Sequence, residues 1–340
     1  MLRHTILSIA FKIASWNVAG LRAVVRKEPD ALAILCQKHD LDMLCLQEHK
    51  LQEMHLDDPK LKLKGLLDEA GYDEYYSFST AKKGYSGAAV FVKRHTVKKS
   101  KKQASIGSFF APKKEDKNDK IMTEDDEENS KVAGADTSLP VSPEFLTPID
   151  VSFSVGEEID NEGRVVVLDF PWGTIANVYV PNSGQKLERL DYRTKQWDKF
   201  FLKFMQDKQK NRGLPVIWLG DLNIAHKPYD IWNDGAKHLS KQAGVTQEER
   251  DSFSEQLEAG FVDAFRQLHP DAKGNYSYWS QRAGNREPNK GLRLDYFVTS
   301  KEMFSEDSKV IVRDSYMIMD QIGSDHSPVC LELEIKGSTD

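Results

Sequence analysis

Four short polar clusters stand at the ends of apolar runs: Asn17 in SWNVAG, Glu48 in CLQEHK, Asp221 with Asn223 in GDLN, and Asp325 with His326 in GSDHSP. A carboxylate at the end of a buried run is costly unless a cation or hydrogen bonds compensate it. A metal is one such partner, and Mg2+ takes few protein carboxylates and completes its shell with waters and phosphate oxygens. Glu48, with Asp325 and the amide of Asn17, suits that requirement. Asp221 and Asn223 put a carboxylate able to take a proton from water beside an amide able to hold that water or a phosphate oxygen. His326 could stabilise a phosphoryl group if Asp295, in RLDYF, held its other ring nitrogen. Tyr179 and Asn182, in VYVPNSG, add a phenol and an amide. Taken singly, each has an ordinary alternative: turn residues at Asn17 and Glu48, an Asx turn at GDLN, a satisfied polar group at His326. Together they describe metal-assisted phosphodiester hydrolysis. The sequence carries no serine or cysteine nucleophile signature and no phosphate-binding glycine loop, which argues against a covalent or nucleotide-driven route.

The elements that must position these residues are legible as short apolar runs. FKIASW (11–16), DMLCLQ (42–47), GAAVFV (87–92), RVVVLDF (164–170), TIANVYV (174–180), LPVIWLG (214–220), LRLDYFV (292–298) and PVCLELEI (328–335) are β-branched or aromatic and bounded by turn residues. Several lack alternation, which predicts strands covered on both faces. Helices are predicted over 29–38, over 187–208 with Leu187, Leu190, Trp197, Phe200, Phe201 and Phe204 on one face, and over 246–258 behind a Thr246/Glu249 capping box.

The chain has 340 residues, 39% hydrophobic, enough for a sizeable core. No apolar run approaches the roughly 18 residues of a spanning helix, so no membrane association is expected. MLRHTILSIA lacks a secretory h-region, and as an organelle presequence it is short. Cys36, Cys45 and Cys330 read as core thiols of a reducing compartment. A net charge of −6 argues against nonspecific coating of nucleic acid but not against a local basic face.

The motifs SWNVAGLRA, LCLQEHK, GYSGAAVF, EGRVVVLDF, YVPNSG, LDYR, GDLNIAH, GLRLDYF and GSDHSP, in this order, resemble the exonuclease III family of abasic-site (AP) endonucleases. The resemblance implies an α/β fold, a four-layer DNase I-like sandwich of two mixed sheets with helices outside, in a single domain over 11–336. It implies Mg2+-dependent incision, with Mn2+ as a substitute, 5′ to abasic sites in double-stranded DNA during base excision repair, and 3′-phosphodiesterase and 3′–5′ exonuclease activity on blocked 3′ ends. It implies Glu48 as main metal ligand with Asp325 and Asn17 near the cation, and Asp221 and Asn223 also among the metal-site residues. Asp221 would activate water, Asn223 and Asn182 would orient water and phosphate, Tyr179 would contact the phosphate, and His326, held by Asp295, would stabilise the transition state. Tyr278, Trp279 and Leu294 match the family's apolar pocket for a base-less sugar; ordinary core packing is an equal reading for Trp279. The chain departs from the family at Ala19, where many relatives carry Asp or Asn, at Leu292, where many carry Trp, and at Gln185, where some carry an arginine. Other phosphodiesterases and phosphatases share the fold, and WLGDLN resembles part of an inositol-phosphatase motif, but that family's following arginine and CDR element are absent. A clamp-bound repair adaptor with reduced catalysis is the remaining alternative.

Over roughly 98–146 hydrophobic residues become sparse and charge segregates into KKSKK and EDDEE, which predicts a disordered insertion. Within it Gln103, Ile106, Phe109 and Phe110 form Q-x-x-I-x-x-F-F, which resembles the motif that docks on the PCNA sliding clamp; a hydrophobic anchor folding back on the domain is the alternative. KKSKK also resembles a weak nuclear import signal, so a nuclear monomer is expected, with a mitochondrial location the weaker alternative.

Overall fold

The computed structural model describes residues 8–95, 143–156 and 159–337. Gln103, Ile106, Phe109 and Phe110 lie outside the described residues. Two six-stranded sheets pack face to face. The first, in the order β11-β12-β1-β2-β4-β3, is built from β1 (Ser8–Asn17), β2 (Met43–Gln47), β3 (Tyr72–Ser77), β4 (Ala88–Lys93), β11 (Val310–Met317) and β12 (Val329–Lys336). The second, β5-β6-β7-β8-β10-β9, is built from β5 (Asp150–Ser152), β6 (Val165–Phe170), β7 (Gly173–Tyr179), β8 (Val216–Asp221), β9 (Phe261–Asp263) and β10 (Asp295–Ser300). Both are mixed: β1 runs parallel to β2 and β7 parallel to β8, and the other pairings are antiparallel.

Strand periodicity explains the layers. Phe11, Ile13, Met43 and Cys45 face Val166, Leu168, Ile217 and Leu219 in the core between the sheets. Their neighbours Ala14, Trp16, Leu44 and Leu46 point outward against α1 (Leu21–Lys27) and α2 (Ala31–His39). On the far side Val165, Val167, Ala176 and Trp218 pack under α4 (Asp198–Arg212) and α5 (Gln247–Glu258). The central strands are therefore covered on both faces, which is why their sequences do not alternate. All three cysteines are buried free thiols.

Several sequence expectations shift. Leu187 has φ +58 and lies outside the helix, which begins with the single turn α3 (Leu190–Tyr192), widens into a π segment over Arg193–Trp197, and continues as α4. The buried face is Trp197, Phe201 and Met205, and Phe200 turns outward at 37% exposed. The run LRLDYFV becomes strand only from Asp295, because Leu292 pairs instead with Ile231 and Tyr278 in isolated bridges. Thr246 caps α5 as expected, with its side chain accepting from the Glu249 N–H and the reciprocal bond present.

Next to those bridges lies a buried ion-pair network. Asp230 accepts from Arg293 Nε at 2.7 Å, and Arg293 also donates to Asp263 at 2.6 Å; Arg266 joins on the Asp230 side. Burial opposes the charge on Asp230, but the Arg293 guanidinium outweighs it and holds the carboxyl down to about 2. The network fixes the loop after β8 to the residue preceding Leu294 and Asp295. Removing one partner strands a buried charge, at a cost of about 3–5 kcal/mol. Asp230→Ala is accordingly expected to lower the unfolding free energy by about that amount in urea titration, and a loss below about 1 kcal/mol would contradict a tightly coupled network.

Candidate active site

The polar clusters meet at one end of the sandwich. β1 and β2 end at Asn17 and Gln47, so Asn17 and Glu48 emerge together from the first sheet. β8 ends at Asp221, which lies opposite Asp295 at the start of the antiparallel β10. Gly220 makes this end possible: it has φ +136, and a Cβ there would lie 1.9 Å from the Val178 carbonyl oxygen of the neighbouring strand. The loop carrying Asp325 and His326 is fastened to β1 by Ser324 Oγ, which donates to the Asn17 carbonyl at 2.7 Å, and by Trp16 Nε1, which donates to the His326 carbonyl at 3.1 Å.

The Asn17 side-chain amide donates to Glu48 Oε1 at 2.9 Å and to Asp221 Oδ2 at 2.8 Å, bridging acids from the two sheets. Its own oxygen accepts from the Ala19 N–H at 3.0 Å. Lys50 Nζ lies 2.9 Å from Glu48 Oε2 and donates to the Ala19 carbonyl at 3.2 Å. His326 Nδ1 pairs with Asp295 Oδ2 at 2.8 Å, while Nε2 is 3.9 Å from Asp221 Oδ2, beyond hydrogen-bonding reach. Asn182 Nδ2 donates to Asn223 Oδ1 at 2.8 Å, and Asn223 Nδ2 donates to the Val180 carbonyl at 2.9 Å. Ala19, Glu48 and Asn223 all take left-handed backbone, with φ +49, +52 and +50. Such conformations cost on the order of 1–3 kcal/mol each and collect at functional sites.

Charge follows from this packing. Burial opposes ionisation of Glu48, but Lys50 and the Asn17 amide outweigh it and hold the carboxyl below its usual range. Burial pushes the Asp221 carboxyl up to about 7, reinforced by Asp295 and Glu48 against the pull of His326. Burial also depresses the His326 imidazole, but Asp295 and Asp221 overcome it and push it up to about 10. Burial, with Glu48 and Asp221 nearby, raises the Tyr179 phenol well above its ordinary value, so it stays a hydrogen-bond donor at neutral pH. The Arg164 guanidinium lies 4.7 Å from the centre of the Tyr179 ring.

Glu48, Tyr179, Asn182, Asp221, Asn223, Tyr278, Leu294, Asp325 and His326 line one cleft of about 690 Å3, with Leu292 and Gln185 also on its wall. Asn17 is fully buried beneath. Trp279 is not among the lining residues. Pairing of Tyr278 with Leu292 and His326 turns the tyrosine into the cleft, and Trp279 packs behind it, its Nε1 donating to Asn289 Oδ1 at 3.0 Å under the Arg286 guanidinium.

The oxygen-rich wall suits a hard divalent cation: three carboxylates converge, and one further carboxylate oxygen, Asp295 Oδ1, is buried without a hydrogen-bond partner. The tightest group of potential ligand atoms among the described residues is Asp221, Asp295 and His326, within 4.8 Å of one another. Because Asp295 already holds Nδ1, that trio reads as an oriented imidazole rather than a closed ligand cage. Glu48 and Asp325 then provide the more open oxygen face.

Several residues to which the sequence assigned no part in the site complete it. Arg193 donates to the Leu222 carbonyl at 2.6 Å and the Asn223 carbonyl at 2.5 Å, holding the GDLN turn from below. Glu249 accepts from Gly244 N–H at 2.8 Å and from the Ser183 hydroxyl, tying together two loops beside the cleft. His238, Lys241 and Gln242 line the cleft from the loop after β8. The LDYR motif was a signal for Arg193; the loop residues carry no comparable pattern.

The model of the endonuclease/exonuclease/phosphatase family matches residues 14–326. An exodeoxyribonuclease of Bacillus subtilis is 37% identical over 325 residues, spanning 95% of this chain and 100% of that protein. The zebrafish (Danio rerio) DNA repair nuclease APEX1 is 35% identical over 327 residues, spanning 95% of this chain and 82% of that protein. The solved AP endonuclease of Leishmania major superposes with a TM-score of 0.70 at 28% identity, covering 97% of this chain and 88% of that one. With the two six-stranded sheets and the site at their shared end, these findings mean that the chain belongs to the endonuclease/exonuclease/phosphatase family, in its exonuclease III-type AP endonuclease branch.

Proposed function

We propose that the protein is a DNA-repair nuclease that hydrolyses the phosphodiester 5′ to an abasic site in double-stranded DNA and also trims 3′ ends. The observation that carries this reading is the convergence of Glu48, Asp221, Asp325 and His326 on one cleft whose apolar wall is Tyr278, Leu292 and Leu294. A sugar without a base fits against such a wall, and it is easily extruded because it lacks stacking.

Glu48 and Asp325, with Asn17 supporting Glu48, would hold a divalent cation, Mg2+ by the hardness of the donors or Mn2+ in its place. Bound there, the cation would offset phosphate charge. Asp221 is placed to take a proton from water, and its neighbours Asn223 and Asn182 orient water and phosphate. The water oxygen bonds to phosphorus as the bond to the upstream 3′ oxygen breaks, and that oxygen gains a proton, leaving a 3′-hydroxyl and a 5′-phosphate. His326, charged and held by Asp295, and the Tyr179 phenol donate to the phosphoryl oxygens as negative charge builds. Gln103, Ile106, Phe109 and Phe110 extend the proposal to docking on the PCNA clamp, and KKSKK to a nuclear location.

On a duplex with one tetrahydrofuran residue, Mg2+ is expected to support incision and EDTA to abolish it. Asp221→Asn should lower turnover about 10²–10⁴-fold, the usual contribution of a positioned base, and Glu48→Gln should raise the Mg2+ concentration required. Equal cleavage by all three proteins would remove the assigned roles. The His326 imidazolium has its own signature in metal-free protein. Its folded pKa, about 10, lies above the ordinary 6.5, so its stabilisation is complete below about 6.5 and is lost as pH rises toward 10. Unfolding free energy in EDTA should therefore fall by on the order of a few kcal/mol between those pH values, and His326→Gln should flatten the curve; a parallel curve would contradict the pairing. For the clamp, calorimetric titration of PCNA with Phe109→Ala/Phe110→Ala protein should show no binding where the unaltered chain binds; unchanged affinity would refute the docking motif.

A further inference from the structure

A second cavity, of about 450 Å3, opens beside the first, and His238, Gln242, Tyr278 and Leu292 line both. Its size falls within the range of about 300–1,000 Å3 typical of small-ligand sites. The chemistry of the two differs. The first is walled by Glu48, Asp221 and Asp325, whereas the lining of the second contains no carboxylate and presents the Trp232 indole, the Lys290 ammonium and the amides of Asn233 and Asn285.

Trp232 is 43% exposed, with Lys290 Nζ 5.2 Å from its ring centre. Both are positioned by backbone bonds: the Trp232 N–H donates to the Gly291 carbonyl at 3.1 Å, and the Lys290 N–H donates to the Asn285 carbonyl at 2.9 Å. A partly exposed indole with an ammonium over one face of its ring is an arrangement that can hold an unpaired nucleotide, the other face stacking on the base and the cation attracting phosphate. Side-chain amides around the ring add donors and acceptors for base edges. The apolar part of the wall shared with the first cavity is Tyr278 and Leu292, the same surface against which the sugar is placed.

We propose that this second cavity is a base-binding subsite, taking the nucleobase of a 3′-terminal nucleotide whose phosphodiester lies among Asp221, Asn223 and His326. The inference rests on the nuclease reading above and adds to it a base-bearing substrate and the residues that select it. In the step, the water oxygen bonds to phosphorus, the bond to the penultimate 3′ oxygen breaks, that oxygen gains a proton, and a nucleoside 5′-monophosphate leaves. A sugar without a base leaves the second cavity empty, so the two substrates differ in their dependence on Trp232.

The test is equilibrium binding in EDTA, where no strand is cut, of a duplex whose frayed 3′-terminal base is 2-aminopurine. The unaltered protein and Trp232→Phe should quench its fluorescence by stacking; Trp232→Ala should lose the quench and bind about tenfold more weakly. Affinity for an internal tetrahydrofuran duplex should change less than about twofold across the three proteins. Equal quench and affinity for Trp232→Ala, or an equal loss on both duplexes, would overturn the subsite. Because binding is read without cleavage, a protein that bound in this way but never cut DNA would defeat the nuclease reading alone.

Discussion

One side-chain amide joins the two halves of the sandwich at their working end. Asn17, at the end of β1, donates through a single nitrogen to Glu48 of its own sheet and to Asp221 of the other. Two neighbouring carboxylates repel unless something between them supplies positive charge or donors, and a neutral amide does so without consuming their charge. Deeper in the same seam, Gln47 Nε2 donates to Asn177 Oδ1 at 2.6 Å, and Asn177 Nδ2 returns bonds to the Leu46 and Ala89 carbonyls. The sheets are thus held in register by polar contacts where the apolar core ends, and the relative placement of Glu48 and Asp221 follows from it.

Around that bridge the charges divide by environment. Glu48 is kept ionised by Lys50 and Asn17, Asp221 is raised by burial, and His326 is kept cationic by Asp295. Neighbouring groups with their affinities for protons pushed apart can take separate parts in one reaction: cation-side oxygen, base and charged donor. Ala19 touches this arrangement through its backbone alone, its N–H donating to Asn17 Oδ1. Lys50 Nζ reaches the Ala19 backbone carbonyl and the Glu48 carboxylate together.

What the sequence disclosed follows the physics of burial. Strands covered on both faces, such as β2 and β8, announce themselves as continuous apolar runs. β3, β9 and β11 were not legible, and all lie at sheet edges, where YDEYYS and VRDSYM carry the polar residues that an edge requires and FVD is too short to show a period. The strand-end acids stood out because charge beside apolar residues is conspicuous. The contacts that orient them were not visible: the reach of Arg193 to two carbonyls and the pairing of Asp230 with Arg293 cross 29 to 63 residues and depend on register. For Trp279 the sequence left core packing as an equal reading, and the bridge pairing of Tyr278 decides that the tyrosine faces the cleft.

In the proposed reaction, water activated at Asp221 attacks phosphorus. Incision of a tetrahydrofuran-containing duplex in oxygen-18 water, followed by mass spectrometry of both fragments, tests it most directly. One heavy oxygen is expected in the 5′-phosphate, with an unlabelled 3′-hydroxyl. An unlabelled 5′-phosphate, or label in a 3′-phosphate with a free 5′-hydroxyl on the other fragment, would contradict it.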